Sequence, residues 1–222
     1  MPYNDPVKRL IVYDLDGTLV DTLGDIAAAA NHLLRQVGSP ELPAREIRRY
    51  IGRGVHELVR GCLKSDDPVR LEQGVTIYRA YYAAHLVDQS RLYPGALAVL
   101  THFNARRQAV ITNKPNPFSR DILRAVGVEG LFCAIVGGDS EYPKKPHPAS
   151  IRALMETWGV SPAETLFIGD SPIDIETGRN AGVLTVGVTH GFSDEDELRR
   201  AAPEAIVRDF EALLALAKRE QW

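Results

Sequence analysis

Apolar and polar positions follow three different rhythms along the 222-residue chain. Residues 10–13, Leu-Ile-Val-Tyr, form an unbroken apolar run of strand length, the pattern of a strand buried on both faces of a parallel sheet. From residue 22 to about 90 the period lengthens. Ile26, Ala27, Ala30, Leu33, Leu34 and Val37 recur at helical spacing until Gly38, Ser39 and Pro40 stop the run, and Asp21 is placed to cap its start. Helical pattern resumes from Ala44, over 55–63 and over 69–87, with no convincing strand between. A block of helices inserted directly after the first strand predicts a separate small domain.

Pro94 and Gly95 mark a return, and the chain then alternates. Helices are predicted over 96–104, 116–126, 148–158, 173–181 and 210–218. Strands are predicted over 109–112, 132–136, 165–168 and 184–188, with a short one at 205–207. Such alternation predicts an α/β fold, a doubly wound parallel sheet with helices on both faces.

Composition narrows the classes without choosing among them. With 45% apolar and 25% charged residues the chain can bury a sizeable core. Twenty-six basic against 29 acidic residues leave a net charge of −3, which argues against a non-specific nucleic-acid binder. Cys62 and Cys133, far apart, make neither a disulfide framework nor a zinc site. No apolar run reaches about 18 residues and the start of the chain lacks a signal-peptide core. The expectation is a cytoplasmic protein with no membrane and no nucleic-acid partner. There is no internal repeat and no low-complexity tract.

The chemistry begins where the first strand ends, in DLDGTLVD. Asp14 and Asp16 are two residues apart, so in extended chain they point to one side, at the carboxyl end of a strand where open α/β sheets bind ligands. Two like charges so close repel, and a divalent cation relieves them; hard oxygen ligands favour magnesium. Thr112 closes the next strand, where a hydroxyl and the following amides can bind phosphate oxygens. The pair Lys144 and Lys145, in KKPHP, offers a point charge to a phosphoryl group, and His147, between Pro146 and Pro148, reads as a turn residue or a contact behind the site. Asp170 ends a third strand, as Asp14 ends the first, and Asp174 follows by one helical turn. Each motif alone also reads blandly: an acidic turn, a strand-end threonine, a solvated lysine pair, an aspartate helix cap.

Taken in order, DLDGTLVD, VITNKP, KKPHP and LFIGDSPIDIETGRNAG resemble the four motifs of the haloacid dehalogenase superfamily. YIGRGVHELV, LYPGAL, GGDS and GVTHGFSDEDEL extend the likeness to the phosphoglycolate phosphatases over nearly the whole chain. The resemblance implies a Rossmann-like core, residues 1–21 and 92–222, with strand order 5-4-1-2-3, and a helical cap, residues 22–91. It implies Asp14 as nucleophile and Asp16 as general acid/base. It implies Mg2+ held by Asp14, Asp16 (through its main-chain carbonyl) and Asp170, with Asp174 behind them orienting the metal's waters or Lys145. Thr112, Asn113 and Lys145 then take the phosphoryl group, and Arg53 and Gly54, in the cap loop facing the site, set selectivity. Arg53 departs from some relatives, which carry other polar residues there. The implied activity is magnesium-dependent hydrolysis of a small phosphorylated metabolite, 2-phosphoglycolate foremost, by a monomer or homodimer. A pyrophosphatase, a phosphosugar phosphatase and a β-phosphoglucomutase-type phosphotransferase are the alternatives. Asp16 argues against a dehalogenase, and Asp14 with Asp170 against a non-catalytic binding protein.

Overall fold

The structure, a computed structural model, describes residues 7–222; the first six residues of the predicted core segment 1–21 lie outside the described residues. All four side chains of strand β1 (Leu10–Tyr13) are fully buried, which is why the run carries no polar alternation. The chain turns through residues 14–19 into the two-residue strand β2 (Val20–Asp21) and then runs through four helices. These are α1 (Leu23–Gln36), α2 (Ala44–Ile47), α3 (Val55–Leu63) and α4 (Pro68–Ala84). It comes back through β3 (Arg91–Leu92), antiparallel to β2. Next come α5 (Ala96–His102), β4 (Arg107–Ile111), α6 (Asn116–Ala125), β5 (Ala134–Val136) and α7 (Ala149–Trp158). The last elements are β6 (Thr165–Gly169), α8 (Pro172–Ala181), β7 (Leu184–Val188), α9 (Glu195–Ala201), β8 (Ala205–Val207) and α10 (Phe210–Arg219).

Six strands form one parallel sheet in the order β5-β4-β1-β6-β7-β8. Counted as five core strands from the β7 side, this is the expected 5-4-1-2-3, with β8 added beyond β7. Alternate side chains of β1 go to opposite faces. Ile11 and Tyr13 pack in one apolar layer with Val110, Leu166 and Ile168. Leu10 and Val12 pack in the other with Ile151, Leu154 and Met155 of α7. Tyr13 carries a hydroxyl into the first layer and donates it to Gln108 at 3.0 Å, whose amide donates in turn to the Leu100 carbonyl at 3.0 Å. Leaving either group unpaired there costs about 1–3 kcal/mol. The register sets Tyr13 beside Val110 and Ile168, so the ends of β1, β4 and β6 lie level at the point where the winding direction reverses.

Within the helical block α1 and α3 both pack on α4. Gly74 of α4 lies where a Cβ would stand 2.8 Å from Val59 of α3, so the missing side chain permits the close approach. Asp25, 1% exposed at the start of α1, accepts from the Gln89 and Ser90 amides and the Ser90 hydroxyl at 2.6–3.1 Å, tying the outgoing segment to the returning one.

Several local expectations shift. Thr22, not Asp21, occupies the N-cap of α1; Asp21 sits in β2 and its carboxylate accepts from the Leu23 amide at 3.3 Å. β4 ends at Ile111, one residue before Thr112, and α4 ends at Ala84 rather than 87. The β2–β3 ribbon is too short to show a period. Helix α9 is nearly all polar, with Leu198 its one buried residue; a capping box between Asp194 and Glu197 starts it. Among the described residues no helix is long and apolar enough to cross a membrane.

Candidate active site

The site forms at the carboxyl ends of β1, β4 and β6. Asp14 continues the ladder, its amide bonding the Ile168 carbonyl at 3.0 Å, and the chain then folds tightly, with the Thr18, Leu19 and Val20 amides all directed to the Leu15 carbonyl. Gly17 allows this turn. Its φ is +83°, and a Cβ there would stand 2.4 Å from a carboxylate oxygen of Asp170. The turn brings Thr18 to Asp170, its hydroxyl donating at 2.7 Å, and the Phe192 amide donates to the other oxygen at 2.7 Å. Asp14 and Asp16 line the same two cavities, but on a tight turn and not on the extended chain that their two-residue spacing assumes.

Asp174 starts α8 as the far partner of a capping box. One oxygen accepts from the Ser171 amide and hydroxyl at 3.1 and 2.6 Å; the other accepts from the Lys145 ammonium at 2.6 Å. The same ammonium lies 2.7 Å from Asp14 Oδ1, a buried ion pair. Ligand oxygens of Asp14, Asp170 and Asp174 all fall within 4.8 Å of one another. Three buried carboxylates and one ammonium leave a formal −2 when all are ionised. Burial, opposed by Lys145 and reinforced by Asp174 and Asp16, pushes Asp14 up to about 7. Burial, with Asp174 and Asp14, holds Asp170 well above the carboxylate range. Burial opposes the charge of Lys145, yet Asp14 and Asp174 outweigh it and keep the ammonium protonated. An all-oxygen donor set of three crowded carboxylates, whose ionised forms burial and mutual repulsion oppose, fits a hard divalent cation such as Mg2+.

The loop after β4 carries the residues expected to meet phosphate. Thr112 is buried, its hydroxyl accepting from the Lys114 amide at 3.2 Å. Asn113 turns its side chain elsewhere. Its oxygen accepts from the Lys145 amide at 2.9 Å, and its NH2 donates to the Lys145 carbonyl at 3.1 Å and the Gly52 carbonyl at 2.8 Å. Only its main-chain N–H is therefore left to meet a phosphoryl oxygen, and its side chain instead pins the lysine loop to the helical block.

Two cavities open from the carboxylates. The outer cleft, about 620 Å³, is lined by Asp170, Ser171 and the basic residues Arg45, Arg48, Arg49 and Arg53. Arg53 is exposed on that rim, and Arg48 bridges to Asp194 at 2.8 Å. The inner cavity, about 60 Å³, is lined by Gly54, the N-cap of α3 with φ +94°, and by Tyr78, Tyr82 and Phe118. Lys144 is exposed and reaches over Gly54; His147 is exposed, its Nδ1 accepting from the Ala149 amide at 3.2 Å within its own turn.

One group in this wall has no role in the sequence reading, where Lys114, between Asn113 and Pro115, marks only the likeness to the phosphoglycolate phosphatases. Lys114 is buried, its ammonium 2.7 Å from the Tyr82 hydroxyl, 3.2 Å from Asp16 Oδ1 and 4.5 Å from the Tyr82 ring centre. Asp16 Oδ1 also accepts from the Thr22 hydroxyl at 2.7 Å. Tyr78 and Tyr82 are four apart on α4, hence on one helical face, which is the signal that sequence offered for this side of the pocket.

A family model described as haloacid dehalogenase-like hydrolase matches residues 11–188. The phosphoglycolate phosphatase of Neisseria meningitidis serogroup A is 39% identical over 194 residues, 84% of this chain and 82% of that protein. That of Haemophilus influenzae is 34% identical over 218 residues, 94% of this chain and 97% of that protein. A crystal structure titled as a predicted phosphoglycolate phosphatase, from Haemophilus somnus, matches with a TM-score of 0.89 at 32% identity, covering 95% of this chain and 98% of that one.

Proposed function

The chain belongs to the haloacid dehalogenase-like hydrolase family and is a phosphatase, and from that premise we propose that it hydrolyses 2-phosphoglycolate through an aspartyl-phosphate on Asp14. The observation that carries this is the buried set of Asp14, Lys145 and Asp170 at the floor of a cleft, with Asp16 two residues beyond the nucleophile.

Asp14 stands at the end of β1 and lines both cavities, which suits attack on phosphorus. As the Asp14–phosphorus bond forms, the ester P–O bond breaks and its electron pair leaves on the alkoxide, which takes a proton from Asp16. Asp16 then takes a proton from the water that cleaves the aspartyl-phosphate. The Thr112 hydroxyl, the Asn113 main-chain N–H and the Lys145 ammonium hold the phosphoryl oxygens. Asp174 keeps Lys145 in place from behind. Asp14, Asp170 and the Asp16 carbonyl would hold Mg2+, which when bound offsets the charge of the phosphoryl oxygens. Residues 22–91 act as a cap that shuts water out, and Arg53 with Gly54 takes part in choosing the leaving group at the rim.

The test is a panel of phosphomonoesters and pyrophosphate assayed with Mg2+. The reading expects 2-phosphoglycolate to have the highest kcat/KM. A higher value for a sugar phosphate or pyrophosphate would replace the substrate, and no hydrolysis of any would refute the phosphatase reading.

A further inference from the structure

Resting on the phosphatase reading, we propose that Lys114 recognises the non-phosphate end of the substrate, and that this end is a carboxylate one carbon away from the ester oxygen. The inner cavity sets the problem. Ile26, Leu58, Tyr78, Tyr82 and Phe118 give it an apolar, aromatic wall. An anion entering there loses its hydration and must find a cation inside.

Three cations line the cavity: Lys145, Arg79 and Lys114. Lys145 is held between Asp14 and Asp174 at 2.7 and 2.6 Å. Arg79 is an exposed residue of α4. Lys114 is buried at the level of Asp16, with contacts to the Tyr82 hydroxyl and to one oxygen of Asp16. An ammonium has three N–H groups, so one remains for a ligand after these two.

The separation of Asp16 and Lys114 suits a short leaving group. The ester oxygen must come within about 2.6–3.2 Å of Asp16 to take its proton. The Lys114 ammonium lies 3.2 Å from that same carboxylate. In an O–C–C–O unit the terminal oxygen lies roughly 3 Å from the first, by standard bond lengths. A two-carbon acid with its ester oxygen at Asp16 can therefore set its carboxylate within reach of the Lys114 ammonium. Tyr82, on α4, fixes the ammonium from the helical side, so the recognition group is complete only while α4 lies over the core.

The experiment compares kcat/KM for 2-phosphoglycolate with that for 2-hydroxyethyl phosphate, which keeps the chain length but replaces the carboxylate by a hydroxyl. Wild-type enzyme should favour the acid by at least tenfold, the scale of one charge-assisted hydrogen bond. Lys114→Met should lower this ratio at least tenfold, and Lys114→Arg should restore part of it. Lys114→Gln replaces the Met variant if circular dichroism shows that the latter does not fold. An equal fall on both esters, with the ratio kept, would make Lys114 a support for Asp16 and overturn the proposal. So would a larger fall of the ratio in Arg53→Ala, which would put recognition at the rim. Wild-type enzyme that hydrolyses both esters without preference refutes the role of Lys114 and leaves the phosphatase reading standing; hydrolysis of neither refutes that reading first.

Discussion

Magnesium should raise the melting temperature strongly at pH 8 and weakly at pH 5.5. The reason is competition between the cation and a proton for Asp14, whose carboxyl is pushed up to about 7 by burial. Between the ordinary carboxylate range and about pH 7 the folded metal-free chain holds a proton that the unfolded chain has released. The Asp14 contribution to stability therefore falls as pH rises through that window and loses nothing more above it. A cation that binds ionised Asp14 reverses the trend. With Mg2+ at one hundred times its Kd at pH 8, linkage contributes about 2.7 kcal/mol. For a chain of 222 residues that is roughly 5–11 °C. At pH 5.5, about 1.5 units below the Asp14 value, roughly one site in thirty is ionised, so the same Mg2+ stands at only about three times its apparent Kd. The contribution drops to about 0.8 kcal/mol, or roughly 2–3 °C. Asp170, held up by the same burial, widens the contrast. Thermal melts by circular dichroism, with chelator and with Mg2+ at both pH values, give the answer. Equal upshifts at pH 5.5 and 8, or none at pH 8, would refute the assignment of these carboxylates to a cation.

Asp14→Asn should keep the fold, since it removes one of three crowded carboxylates, but reduce kcat by about 10⁴-fold, checked by a phosphate-release assay. Gly17→Ala should cost about 2–4 kcal/mol, because φ +83° and an overlap with Asp170 act together, and should appear as a lowered urea midpoint. Asn113→Ala removes bonds to both main-chain groups of Lys145 and to Gly52; about 2–3 kcal/mol is expected, with faster amide exchange in the lysine loop, measurable by hydrogen–deuterium exchange. Adding Ca2+ in place of Mg2+ should inhibit, because its larger and more flexible shell misplaces the nucleophile; full activity with Ca2+ would contradict this.

The sheet was legible because its signal is local. An unbroken apolar run such as 10–13 has few other fates, and alternation with amphipathic segments leaves a parallel sheet as the economical arrangement. The aspartates after β1 and β6 were legible for a related reason: a carboxylate directly after a buried strand stands at a known end of the sheet. Lys114 was not. A lysine between asparagine and proline has no periodicity, and its partner Tyr82 is 32 residues upstream, on a helix that only packing brings near. The side chain of Asn113 was not legible either. The loop marked its main-chain N–H for phosphate, but which way its amide turns depends on Gly52 and Lys145, remote in sequence. Helix α9 hid because one buried leucine among charges is not a stripe.

The paired crossing of β2 and β3 has a mechanical consequence. Both covalent links between the sheet and the four helices run side by side, Val20 against Leu92 and Asp21 against Arg91, and Asp25 knots them just beyond. A body joined along one short double strand can swing about that line but has little freedom to slide or to twist. The far side is touched at several points, among them Gly52 on Asn113, Tyr82 on Lys114 and Arg48 on Asp194. A swing about the ribbon would part them together, whereas a slide would part them singly, so hydrogen–deuterium exchange that rises at all of these contacts in step is the expected mark of a hinge.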